Sequence, residues 1–203
     1  MNYPDYFDLV ETIEMKDPLS NLLGTFADGD VTFRYLDVVK AAGHSCPTVG
    51  GAYLMTLKAL KALYPEGNAV RGNIRVAFPE SQDEGVAGVI GNVVSHITGA
   101  AGLGGFKGLN GRFARHSLMD FGTAVPSNAR FTRVDNGACA DLYYNPEAVP
   151  PKPEMQLLMP KVMAGRASAE ELKMFGELWQ ERVARILTEN SDNVQMIRVE
   201  HCS

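Results

Sequence analysis

The chain has 203 residues, 45% of them hydrophobic, which is enough for one domain with a substantial core. Its net charge of −5 comes from interspersed acidic and basic residues, without the basic patch that neutralises a phosphate backbone, so nucleic acid is not expected as a main partner. The N-terminal MNYPDYFDLVETIEMKDP is acidic and lacks an apolar leader, and no run of about 18 apolar residues could span a bilayer, so a cytoplasmic protein without a membrane partner is expected. Three cysteines, Cys46, Cys139 and Cys202, are too few and odd in number for a secreted disulfide framework, so free thiols or metal ligands are expected.

Pro4 to Ile13 reads as a short amphipathic helix with Tyr6, Leu9, Val10 and Ile13 on one side, and residues 1–30 as a helix and loop ahead of a domain spanning 31–203. Thr32 can cap a second helix, Phe33 to Ala42, and Gly43 permits a sharp change of direction after it. Pro47 suits the first position of a third helix, which makes Cys46 its N-cap. Val49, Tyr53, Leu57, Leu60 and Tyr64 continue at helical spacing until Pro65 and Gly67 end the run. A helix of about 18 residues, roughly 27 Å long, would aim its positive end at Cys46. Because anionic sulfur is both nucleophile and metal ligand, His44 and Cys46 form a candidate reactive or metal-binding corner. The plainer reading is a small buried cysteine beside a satisfied histidine.

Asn73 to Pro79 alternates Ile74, Val76 and Phe78 with Arg75 and Ala77, as a half-buried strand does. After the turn PESQDEG, the Val- and Ile-rich segment 86–98 reads as a strand over at least Asn92 to Thr98, with its first half open to helix. On that strand His96 would share a face with Ala100. Gly99 to Gly111 is a glycine-rich loop that fails both phosphate templates, since Gly105 stands at the Walker lysine position and Lys107 at the third dinucleotide glycine. Lys107 and Arg112 are candidates for holding an anion there; the alternative is a close-packed or substrate-covering loop. Further strands are expected at Arg130 to Val134 and Ala138 to Tyr144, then a proline-rich linker from Pro146 to Pro153. Helices follow at Glu154 to Ala164 and Ala169 to Glu189, the second opened by the capping box Ser168-x-x-Glu171, and a last strand at Val194 to Glu200 leads to His201 and Cys202. Helices and strands without regular alternation predict an α+β fold with a mixed, mostly antiparallel sheet.

GHSCP at 43–47, Thr98-Gly99 closing the Val-rich segment and Gly111-Arg112-Phe113-Ala114 together resemble the FmdE family, which takes its name from formylmethanofuran dehydrogenase, over roughly residues 30 to 200. That family's usual pattern is H-G-H-x-C-P-G, then a strand ending T-G-C-T, then G-K-x-A. His44 and Cys46 match its second histidine and its cysteine, whereas Ala42 stands for the first histidine, Ala100 for the cysteine of T-G-C-T, Thr48 for the glycine and Arg112 for the lysine. The resemblance implies a single FmdE-like domain binding a transition metal, zinc first, and a homodimer, across which Val194 to Val199 could pair. His96 is the residue available to replace the missing ligands, and a His/Cys/His set with one open position is what a catalytic zinc has. His116, Cys139, His201 and Cys202 are lower-ranked candidates. The donor types also admit nickel, iron, copper or haem. If the protein is an enzyme, the metal would act as Lewis acid or activate water on a small anionic substrate. The alternative is a non-catalytic metal or cofactor carrier, or an accessory protein of a larger redox enzyme. A thiol-redox module ranks last because no C-x-x-C is present.

Overall fold

The N-terminal segment is part of the core. In the computed structural model, which describes residues 2–202, a single 3-10 turn at Asp5–Leu9 buries Phe7, and the chain then extends into strand β1 (Ile13–Lys16). The expected helix to Ile13 therefore stops short, because the backbone is already extended at Val10 and Ile13 and Met15 alternate with exposed Glu14 at a strand's period of two. Asp17 caps a short helix, α1 (Pro18–Leu22), through the amides of Leu19 and Ser20. Strand β2 (Asp30–Phe33) pairs antiparallel with β1, and β3 (Ala69–Val70) pairs parallel with it, giving a three-stranded sheet of order β2-β1-β3. Thr32 thus lies in a strand. The cap of helix α2 (Tyr35–Ala42) is Arg34, whose backbone N–H donates to the Asp37 carboxylate at 2.9 Å.

Helix α3 (Pro47–Leu63) begins as expected, with Cys46 at the N-cap and Pro47 in the first position. Most of its circumference is buried, and small residues in its first turns let other elements come close. A Cβ on Gly51 would sit 2.2 Å from the Tyr144 ring, so only glycine fits there.

The second sheet contains β4 (Ile74–Ala77), β5 (Met119–Asp120), β6 (Ala129–Arg133), β7 (Cys139–Tyr144) and β8 (Ile197–His201) in the order β5-β4-β6-β7-β8. Only the β4–β5 pairing is parallel. Two sheets with helices packed against them make one α+β domain, as the sequence predicts.

The main correction concerns residues 86–98. This segment is helix α4 (Ala87–Thr98) throughout, closed by Gly99 at φ 76°. Ala87, Gly91, Val94 and Thr98 are buried at helical spacing, and a Cβ on Gly91 would lie 2.7 Å from the Phe121 ring. The β-branched residues favour a strand locally, but packing against α2 and α3, with Phe121 over Gly91, overrides that preference.

Helices α5 (Pro153–Met163) and α6 (Ala169–Leu187) match expectation, including the Ser168–Glu171 capping box. The proline-rich segment ahead of them is not a free linker. Val149 is buried, and Arg182 donates to the carbonyls of Val149 and Pro146 at 2.7 and 2.9 Å, which straps the segment along α6.

Cys139 and Cys202 form a disulfide, which removes both from the expected set of free thiols and metal ligands. Antiparallel pairing of Ala140 with His201 brings the two cysteines opposite one another, with Cα atoms 5.4 Å apart, within the range a disulfide bridges. Among the described residues no helix is long and apolar enough to cross a membrane. The bridge spans 63 residues, so loss of loop-closure entropy in the unfolded chain predicts about 4 kcal/mol of stabilisation. Urea unfolding of Cys202→Ser should show a lower midpoint than the oxidised wild type, and dithiothreitol should bring the wild type down to the variant.

Candidate functional site

Gly43 ends α2 at φ 79° and turns the chain, so that the next three residues take different directions. His44 is exposed, while Ser45 and Cys46 are buried. Ser45 is held from several sides. Its Oγ lies 2.9 Å from the Tyr35 hydroxyl and 3.2 Å from that of Tyr6, and its carbonyl accepts from Trp179 Nε1 and Gln180 Nε2 at 3.0 and 3.2 Å. Burial pushes the Tyr6 hydroxyl up to about 12 and that of Tyr35 further still, so both remain neutral hydrogen-bonding groups. With Ser45 anchored inward, the Cys46 sulfur also faces the interior, 8% exposed, and accepts the Val49 N–H at 3.4 Å. It is engaged as a helix cap.

His44 and His96 both line a cleft of about 440 Å³ between α2 and α4. Val38 and Ala42 line one wall, with His44 at its end; Val89, Asn92 and His96 line the other. The helical form of α4 explains this. On a strand His96 would point with Ala100, but on a helix it shares a face with Asn92 and Val89, one and two turns earlier, and Ala100 is buried.

His44 Nδ1 lies 3.1 Å from the Ala42 carbonyl oxygen, which can only accept, so in the neutral tautomer Nδ1 carries the proton and the lone pair is on Nε2. The His96 ring meets Phe33 edge to face at 5.7 Å. Burial, reinforced by the positive charge of Arg71 and opposed by Asp37, lowers its pKa below 6.5 and favours the neutral form. Cys46 does not line this cleft. Among the described residues no three of His, Cys, Asp and Glu gather closely enough to hold a metal ion, so what His44 and His96 share is the lining of one cleft.

The other candidates lie elsewhere. Lys107 and Arg112 are exposed on the glycine-rich loop, where Arg112 covers the Phe113 ring at 4.7 Å, and neither lines the cleft. His116 pairs with the neighbouring Ser117 hydroxyl at 3.0 Å, and His201 ends the edge strand β8.

Sequence reasoning misses Asp17, Arg71 and Arg115. One Asp17 oxygen accepts from Arg115 Nη2 at 2.8 Å and the other from Arg71 Nη1 at 2.9 Å, all three side chains being largely buried. Burial alone would raise the Asp17 carboxyl, but the Ser20 amide and the two guanidiniums outweigh it and hold the carboxyl below its ordinary value. Arg71 also donates to the carbonyls of Ile97 and His96, at the end of α4. The one local signal is Asp17-Pro18, a helix start; the ion pairs join residues 54 and 98 positions apart. The glycine-rich loop is close-packed from its start, since a Cβ on Gly99 would fall 2.1 Å from Arg115 Nη1.

No protein-family model matches the chain, and no curated protein matches it.

The lowered pKa of His96 has a defined sign. The unfolded chain takes up the proton first as pH falls through 6.5, so this residue's contribution to stability diminishes from there downward. In an NMR titration the His96 imidazole, assigned through His96→Gln, should have its midpoint below 6.5; a midpoint at or above that value would contradict the burial and Arg71 contributions.

Proposed function

We propose that the cleft between α2 and α4 is a transition-metal site, zinc first, in which His44 and His96 supply the protein nitrogens and the remaining positions are open to a small chelating ligand. The observation that carries this reading is the pair of imidazoles on one cleft, one with its proton held by a backbone carbonyl and the other kept neutral by its surroundings. Metal-bound histidines characteristically give their second N–H to a carbonyl or carboxylate in this way. Ala42 adds support to the FmdE-like reading, because the position where that family carries its first histidine lines the same cleft.

Two protein ligands and an open cleft favour binding and exchange over an enclosed structural zinc, which takes four protein ligands. When bound, the metal would supply Lewis acidity toward whatever ligand completes its coordination. Cys46 is placed in this proposal as the cap of α3, since its sulfur would have to leave the Val49 amide to reach a metal. A zinc titration with a competing chelator tests the assignment. His44→Ala and His96→Ala should each weaken binding by about tenfold or more, Cys46→Ser should bind as the wild type does, and Ala42→His should tighten binding. Zinc affinity unchanged in both alanine variants would remove the proposal, and a loss confined to Cys46→Ser would move the site to the cysteine.

A homodimer belongs to the same reading. What supports it is the position of β8 at the edge of the five-stranded sheet, where among the described residues only β7 pairs with it. Light scattering on the purified protein should return twice the mass of one chain, and a monomer mass across micromolar concentrations would refute the dimer.

A further inference from the structure

The end of α4 and the ring of His96 are both referenced to a single side chain. A helix leaves its last carbonyls without intrahelical partners, and the chain reverses directly after Thr98 at Gly99. Arg71 fills part of that gap, with Nε donating to Ile97 O at 2.8 Å and Nη2 to the carbonyl of His96 itself at 3.0 Å. Its third group, Nη1, donates to Asp17 Oδ2 at 2.9 Å, which anchors the guanidinium at the end of β1. The same guanidinium lies 5.1 Å from the centre of the Phe33 ring, and that ring meets the His96 imidazole edge to face. The backbone and the ring of His96 are therefore held through two separate routes, one of hydrogen bonds and one of packed planes.

Resting on the reading of the cleft as a metal site, we propose that Arg71 is its positioning residue, a guanidinium that fixes where the His96 imidazole stands against His44. Lysine cannot replace it, because one ammonium offers no planar fork for three acceptors in different directions and no flat face for Phe33. Arg115 shares the Asp17 carboxylate but makes no hydrogen bond to α4, so it provides the control for a role in stability alone.

The experiment uses zinc as the probe and the side-chain spectra of the four histidines in ¹⁵N-labelled protein as a metal-free readout. Arg71→Lys should shift the His96 ring resonances and weaken zinc by about tenfold, in the range typical of lost outer-shell support. Phe33→Leu keeps every Arg71 hydrogen bond, and should shift the same resonances with a smaller loss of affinity. Arg115→Gln should lower the melting temperature while leaving the His96 resonances and zinc affinity in place. Wild-type His96 resonances in both Arg71→Lys and Phe33→Leu would overturn the proposal, and so would equal effects of Arg71→Lys and Arg115→Gln on zinc. If Arg71→Lys does not fold, Phe33→Leu decides alone. Failure of the wild type to bind zinc would instead remove the metal reading, and the resonances would still decide whether Arg71 places the ring.

Discussion

Asp17 ties together parts of the chain that lie far apart in sequence. It follows the last residue of β1, its carboxylate caps α1, and its two oxygens receive Arg71 from just beyond β3 and Arg115 from beyond the glycine-rich loop. Taking these charges out of water is costly, and the cost is offset only because the carboxylate also accepts the Leu19 and Ser20 amides and Arg71 directs its other N–H groups to carbonyls. Such a cluster adds little net stability compared with an apolar replacement of the same shape. What it adds here is placement, because the three-stranded sheet, the end of α4 and the start of the glycine-rich loop are all measured from one buried carboxylate.

The glycine-rich loop is understandable in the same frame. Gly99, Gly105 and Gly108 leave room for backbone and for Arg115. A Cβ at Gly99 would strike the guanidinium, and a Cβ at Gly108 would fall 2.3 Å from the Arg112 carbonyl oxygen. Arg112, the exposed member of the Arg-x-x-Arg pair, stands out in the sequence, whereas Arg115, the buried member, holds the loop to Asp17.

The legible parts of the fold are those whose signals are local. Pro47 after Cys46, the apolar spacing of α3, the capping box of α6 and the alternation of β4 all lie within a few residues, and each appears as expected. The Val-rich α4 reads wrongly as a strand because β-branched residues favour strands locally, and only the contact of Gly91 with Phe121 shows which face must be helical. The disulfide depends on the register of β7 against β8, which no single-strand pattern specifies. Within the candidate site, His44 and Cys46 are legible as a pair, but their opposite directions depend on how Ser45 is held by Tyr6, Tyr35, Trp179 and Gln180, residues scattered over most of the chain. His96 stands out by its residue type alone, and it reaches the cleft on a different secondary structure from the one expected.

The hydrogen bond between His44 Nδ1 and the Ala42 carbonyl has a consequence for how the cleft responds to its surroundings. With one nitrogen committed to the backbone, an incoming proton and an incoming electrophile must compete for the single remaining atom of that ring. Occupancy of His44 by one excludes the other, one for one. The backbone of α2, by choosing the tautomer, would leave one nitrogen of the ring open, so that the imidazole could take an electrophile there while keeping its hydrogen bond to Ala42.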